Sequence, residues 1–314
     1  MFRKLFLPVG MLMALVVSFV FPAPGIAIKE LNCNPWLIVA IFFVCGWNIE
    51  AGQMKFDRKF AAAFICGGIV SLMAAPLAGS GLSKLFGLQA LAAAGLIAAM
   101  AVPPTLSSGI VMTESAGGNS LFAILMTIGY NLAGVVTMPL MLAFCISSSG
   151  EVKAEPVKMF TELVLLVLLP SIIGFLLKKF TGRKLPSWAG YVPSVAVILL
   201  ILGFFSKSRE HFISHPVSML LLEGSCALIL HLLLLGAMWS CGKLLKVGDP
   251  ECKAMLFTGA SKTITIALTM LEIMEAGTGE AMVPCLVYYF VQSVFDALLA
   301  GKMGLSANNK KQMA

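Results

Sequence analysis

Apolar runs close to bilayer length, separated by short polar punctuation, divide the chain into ten segments: 5–21, 35–50, 60–80, 88–114, 119–146, 158–178, 188–205, 217–242, 252–273 and 280–301. Each approaches the roughly 20 residues that a helix needs to cross a hydrocarbon core. Two of the ten carry an interruption. In the fourth, a helix from about Leu88 meets Pro103-Pro104 and then the hydroxyl-rich run Thr105-Leu106-Ser107-Ser108-Gly109. Consecutive prolines remove two amide donors and clash with the preceding turn, so this helix must stop near Val102 and restart among the hydroxyls. The ninth breaks at Gly259-Ala260-Ser261-Lys262-Thr263, about half the chain's length further on. In hydrocarbon, unpaired backbone groups are tolerated only where they face protein or line a wet cavity. Broken helices of this kind build transporter binding sites.

Five spans followed by five more, the fourth of each broken, form the pattern of an inverted repeat, because an odd number of spans turns the second half over in the membrane. The predicted fold is an all-α integral membrane protein of ten transmembrane helices in a single transporter domain. Its repeats cover about 1–150 and about 151–314, and broken helices 4 and 9 cross at the midplane. The second half of each broken span then restarts at mid-membrane, so two positive helix N-termini converge on one place, which suits an anion. Pro103, Pro104 and Gly259 are expected in the crossing, with Thr105, Ser107, Ser108, Ser261 and Thr263 lining one cavity. Ser107, Ser108, Ser261 and Thr263 are also placed to cap the half-helices.

Composition agrees with a membrane solvent. The chain is 59% hydrophobic and 12% charged, with mean hydropathy +0.95, where a soluble domain is about one quarter charged. A net charge of +7 does not imply nucleic acid, because the basic residues sit at the ends of apolar runs rather than in a stripe. With the N-terminus in the cytoplasm, fifteen of the 22 Lys and Arg residues fall inside, from Arg3 and Lys4 around the loops at 51–59, 179–187 and 243–251 to Lys302, Lys310 and Lys311. Six fall outside. The asymmetry predicts both termini in the cytoplasm. No small-x-small cleavage site follows the first apolar run, which is read as a retained helix rather than a signal peptide. The eight cysteines form no CxxC and no metal cluster, so they read as free, mostly buried thiols. No nucleotide loop, HExxH, GxSxG or carboxylate pair is present, which argues against an enzyme or a cofactor. A sensor would need a soluble domain longer than these loops.

The stretch Pro104-Thr105-Leu106-Ser107-Ser108-Gly109-Ile110-Val111-Met112-Thr113, then Ala116-Gly117-Gly118-Asn119 and Asn131-Leu132-Ala133-Gly134-Val135-Val136-Thr137-Met138-Pro139, resembles spans 4 and 5 of the bile acid:sodium symporter (BASS) superfamily. The likeness is closest to its bacterial branch with a PTT-x-SS-type signature. Phe42-Phe43-Val44-Cys45-Gly46 fits as well. The resemblance implies a panel of spans 1, 2, 6 and 7, a core of spans 3–5 and 8–10, and substrate crossing between them by alternating access. It also exposes departures. The family's sodium-binding Ser-Asn pair falls on Gly109 and Ile110, and its span 5 hydroxyls on Ala123 and Thr127. The acidic residue of span 9 falls on Phe257, and the Gln-Asn pair on Ser261 and Lys262. Hard cations need several oxygen ligands, and Thr127 is left as a weak sodium site at most.

Lys262 is the sharpest candidate. A lysine at the bilayer centre costs roughly 2.5–3.5 kcal/mol on insertion scales, so the fold must offset it. Standing where sodium ligands would be, its ammonium either supplies the missing positive charge beside an anionic substrate or caps loose carbonyls of the break. Burial disfavours its charged form, which would permit proton coupling. Asp296 lies one turn after Gln292 on span 10, so the two share a face, and Asp296 could pair with Lys262 or be hydrated from the cytoplasm. His231 in span 8 reads as a histidine bonding a neighbouring helix more readily than as a proton relay. Asn131 is deep enough to need a partner, and the span 4 break could supply it.

The expected function is secondary transport of a small organic anion, with steroid, keto acid and pantoate-like substrates all open and sodium or a proton as coupling ion. A selective channel on the same broken-helix fold is the alternative. Saturable counterflow separates the two.

Overall fold

The computed structural model describes residues 2–49, 58–105, 108–146, 154–276 and 279–313. Ser107 and most of the 51–59 loop lie outside these residues. Every described element is helical. α1 is Phe2–Val20, α2 Ala23–Glu30, α3 Asn34–Trp47, α4 Arg58–Ile69, α5 Ala75–Leu85, α6 Ala90–Ala101, α7 Ser108–Ser115 and α8 Ser120–Ile146. There follow α9 Pro156–Leu163, α10 Leu169–Thr181, α11 Val192–Ser214, α12 Val217–Leu244, α13 Asp249–Ala260, α14 Ile264–Ile273 and α15 Gly279–Met313. Single π-helical turns, Val70–Ala74 and Val164–Leu168, join α4 to α5 and α9 to α10.

Among the described residues, six helical segments are long and apolar enough to cross a bilayer: Arg58–Leu85, Ser120–Ile146, Pro156–Thr181, Trp188–Ser214, Val217–Leu244 and Gly279–Leu305. A seventh is the pair Val9–Val20 and Ala23–Glu30, bent by 98°. The count falls short of ten for a physical reason. Each half of an interrupted span, α6 with α7 and α13 with α14, is at most 12 residues long and so reaches only about 18 Å at 1.5 Å per residue. α3, with 14 residues, is also short.

Two boundaries differ from the sequence reading. Residues 23–30, read as loop, are helical, because Pro24 at the start of α2 suits a first turn that needs no amide donors. Gly259, expected in the second break, lies inside α13, and the chain leaves the helix only at Ser261. What Gly259 provides is room: a Cβ there would sit 2.5 Å from the Met238 sulfur of α12.

The chain packs as two compact units. The first comprises Met1–Met54 and Val157–His215, the second Lys55–Pro156 and Pro216–Ala314. In the first, α3 packs on α10 and α11, and α1 and α2 on α11. In the second, α6 packs on α15, α5 and α14, and α13 on α12, α8 and α7. The interrupted helices form its interior: Ala94–Ala101 of α6 and Met255–Ala260 of α13 are all buried. Small residues permit close approach where lipid gives helices no hydrophobic reason to associate. At Gly95 an added Cβ would lie 1.9 Å from the Ala281 carbonyl oxygen of α15. The outer helices α8 and α12 instead expose Leu132, Val136, Leu140, Phe144 and Leu233, a lipid-facing surface.

Candidate functional site

The two breaks meet inside the second unit. Val102 and Ser261 both turn to extended backbone at the ends of α6 and α13, and Thr263 is extended before α14. The segments pair as an isolated antiparallel bridge between Pro104 and Lys262, and the Thr263 N–H donates to the Pro103 carbonyl at 3.1 Å. Prolines have no N–H, so side chains complete the pairing. Gln292 of α15 acts as a strand edge: its Oε1 accepts the Lys262 N–H and its Nε2 donates to the Lys262 carbonyl, both at 2.8 Å. Asn131 of α8 donates to the Pro104 carbonyl at 3.0 Å and to the Thr127 carbonyl at 2.8 Å. Buried backbone groups must find partners, and here Gln292 and Asn131 supply them.

Lys262 closes the same account from the other side. In the π-turn, the Ala75 N–H bonds the Val70 carbonyl five residues back. The next donor in that pattern would be residue 76, which is proline, so the Ser71 carbonyl has no partner in its own helix. The Lys262 ammonium donates to that oxygen at 2.5 Å, to Ser71 Oγ at 3.1 Å and to the Val102 carbonyl, left over by the first break, at 3.2 Å. Ser71 Oγ in turn donates to the Gly259 carbonyl at 2.8 Å. Lys262 is 1% exposed, and its three N–H groups are spent on one hydroxyl and two carbonyl oxygens, the donor chemistry that hard cations take.

Asp296 does not pair with Lys262, as the sequence had allowed. Its Oδ1 lies 2.9 Å from His231 Nε2, and its Oδ2 accepts the Ser261 hydroxyl at 3.0 Å. His231 Nδ1 lies 3.3 Å from the Tyr288 hydroxyl. The ammonium is drawn instead to the carbonyls at the π-turn and the first break, while the carboxylate, 3% exposed, finds the imidazole of α12 opposite its helix. Asp296 is therefore enclosed by protein rather than hydrated.

The hydroxyls divide differently from the capping expectation. Thr105 and Ser108 hydroxyls bond each other, and Thr105 Oγ1 accepts the Gly109 N–H at 3.2 Å, capping α7. Ser261 turns to Asp296 and is enclosed at 1% exposure. Thr263, the residue before α14, makes no side-chain cap bond, and its buried Oγ1 has no partner among the described residues. Thr127 Oγ1 donates to the Ala123 carbonyl of its own helix at 2.8 Å. Sequence reasoning missed Ser71 and Tyr288. Pro76, inside a span read as uninterrupted, was the signal for Ser71, since a proline orphans a carbonyl upstream. No comparable signal marked Tyr288.

The model of the SBF-like CPA transporter family matches residues 6–304. The probable sodium/metabolite cotransporter BASS4, chloroplastic, of Oryza sativa subsp. indica is 22% identical over 317 residues, 95% of this chain and 75% of its own. The protein of the same name in Arabidopsis thaliana is 24% identical over 317 residues, 94% of this chain and 71% of its own. Sodium/bile acid cotransporter 7 of Mus musculus is 24% identical over 324 residues, 95% of this chain and 92% of its own. These matches run through both units and both breaks. The chain is a multi-pass membrane transporter, not an enzyme, and it belongs to the SBF-like CPA transporter family within the bile acid:sodium symporter superfamily.

Proposed function

We propose that this transporter is a secondary carrier that moves a small organic anion across a bacterial inner membrane by alternating access, with both termini cytoplasmic, and that a fixed lysine charge replaces sodium at its helix crossing. The first unit serves as panel and the second as core. The observation that carries the reading is the caged ammonium: Lys262 is held by the Ser71 and Val102 carbonyls and the Ser71 hydroxyl. A coordinated sodium would use such oxygens. The charge acts on the anion through its field rather than by a direct bond, because its N–H groups are already spent. The amides at the starts of α7 and α14, with the Thr263 hydroxyl and the Ser108 hydroxyl that now bonds Thr105, are the groups proposed to meet the anion itself. Gln292, Asn131, Pro103 and Pro104 hold the crossing in place, and Asp296 and Ser261 serve coupling.

Three classes remain for the anion: steroid, keto acid and pantoate-like. The relatives' names carry bile acid, metabolite and sodium, and the sodium is the part not transferred. The test is uptake of labelled cholate, 2-oxoisovalerate and pantoate into proteoliposomes across a sodium series, for the native protein and Lys262→Met. The reading expects saturable counterflow of one of them, weak sodium dependence, and weaker anion affinity in the variant. Steep sodium dependence, or undiminished affinity in Lys262→Met, would overturn the lysine's role. Unsaturable flux without counterflow would make the protein a channel.

A further inference from the structure

Resting on that reading, we propose that the His231–Asp296 pair is the carrier's proton-binding site, and that it moves a proton together with the anion. The pair is fully enclosed: His231 is 0% and Asp296 3% exposed, with the Phe295 ring edge-on to the imidazole. Isolated charges are costly at such depth, yet this pair can gain and lose a proton without moving a heavy atom. Asp296 as carboxylate accepts from His231 Nε2–H and from Ser261 Oγ–H in either state. The other ring nitrogen, Nδ1, faces the Tyr288 hydroxyl. A hydroxyl is donor and acceptor and rotates freely. Tyr288 therefore donates to the bare nitrogen of the neutral ring and accepts from the N–H of the imidazolium.

The charge changes where the substrate would feel it. Unloaded, neutral His231 with ionised Asp296 carries −1. Loaded, the proton on Nδ1 gives an imidazolium–carboxylate pair of net charge zero. Asp296 bonds Ser261, the residue beside Lys262 and two before Thr263. The unloaded site therefore repels an anion at the crossing, and proton binding removes the repulsion, so the two bind as a unit. A monovalent anion then crosses with one proton and no net charge. Other titratable groups on packed elements stand away from this level. α6 and the π-turn carry none, and Arg58 and Lys59 start α4 while its Cys66 meets the Cys241 thiol. Lys84 ends α5, Glu114 ends α7, Glu272 ends α14, and Asp249 to Lys253 begin α13. On α12, Glu223 precedes His231 by about two turns. Lys262, beyond Ser261, is the titratable group that remains close, its amine bonded to the Ser71 and Val102 oxygens.

The experiment loads proteoliposomes with the transported anion of the panel above and applies an inward gradient of one pH unit. One-to-one coupling expects about tenfold accumulation in the native protein, the proton ratio itself, unaffected by a potassium–valinomycin potential. In Asp296→Asn and His231→Gln the ratio of gradient-driven to exchange uptake should fall to about one. Native exchange without gradient-driven accumulation overturns the proton site and leaves the carrier standing, and equal accumulation in Asp296→Asn makes the pair merely structural. Should no anion of the panel move, the carrier reading fails, and nitrogen-15 NMR of the purified protein decides the site alone. The sequence has three histidines, so replacing His211 and His215 leaves the two ring nitrogens of His231 as the imidazole signals. A ring that changes protonation across the pH range over which the protein stays folded supports the proposal, and one that stays in a single state overturns it.

Discussion

Replacing Ser71 with alanine removes one oxygen and breaks two links of the crossing at once. The hydroxyl, fully buried, is the donor to the Gly259 carbonyl and one of three acceptors around the Lys262 ammonium. A buried carbonyl left without a donor costs about 1–3 kcal/mol, and a hydrogen bond to a charged group contributes about 1.5–3 kcal/mol. The loss is therefore about 2.5–6 kcal/mol, because the Cβ that remains cannot reach either partner. The assay is reversible unfolding in mixed micelles with increasing SDS, comparing native protein, Ser71→Ala and Ser225→Ala. Ser225 is an exposed residue whose hydroxyl bonds only the Leu221 carbonyl of its own helix, so its loss should cost under about 0.5 kcal/mol. A Ser71→Ala cost within 0.5 kcal/mol of that control would refute the network. The double variant with Lys262→Met should cost less than the sum of the two, by about 1–3 kcal/mol, since the two residues share one network.

Gly95→Ala should destabilise by more than 2 kcal/mol or block folding, because its new Cβ meets the Ala281 backbone oxygen at 1.9 Å and backbone cannot swing aside as a side chain can; detergent-stable monomer yield and SDS unfolding check this. Cys66 and Cys241, with sulfurs 3.0 Å apart, should cross-link rapidly under diamide, read as a linked peptide by mass spectrometry, while Cys226 and Cys285 stay free; failure to link would show that α4 and α12 do not pack as described. Cysteines placed at 179 and 207 should label from opposite sides of the membrane, and labelling from the same side would reverse the charge argument for orientation. Gln292→Leu should lose anion binding and stability together, since both bonds that hold the Lys262 backbone go at once, and full uptake by this variant would remove the crossing from the site.

The spans and the two breaks were legible because they depend on local chemistry: long apolar runs need lipid or core, and Pro103-Pro104 cannot continue a helix. The pairing of the breaks was legible only as a consequence of assumed symmetry. Which side chain answers which orphaned carbonyl was not, because that depends on three helices far apart in sequence. Lys262 and Asp296 seemed natural partners by charge, yet each found a partner set by position: carbonyls stranded by Pro76 and the first break for the lysine, an imidazole 65 residues away for the aspartate. Gly259 misled because glycine in a helical run can mark either a break or a close contact, and only the Met238 side chain shows which. α2 was missed because eight residues just after Pro22, with a second proline and a glycine at their start, resemble a loop when read without the turn that Pro24 begins.

A sodium ion at a helix crossing would perform two separable tasks: it satisfies oxygens that broken helices leave unpaired, and it carries free energy because it enters on one side and leaves on the other. Lys262 can perform the first. Its insertion cost of roughly 2.5–3.5 kcal/mol is offset by three charge-assisted bonds, each about 1.5–3 kcal/mol, to the Ser71 and Val102 oxygens. It cannot perform the second, because a side chain tethered to the backbone between α13 and α14 never leaves the protein. On the proposed reading, replacing the ion by a lysine keeps the architecture of a coupled carrier while removing its driving force. Accumulation then requires another species that binds and departs. On the proposal above, the imidazole facing Tyr288 and tied through Asp296 to Ser261 exchanges such a species without dismantling the bonds that hold the two breaks together.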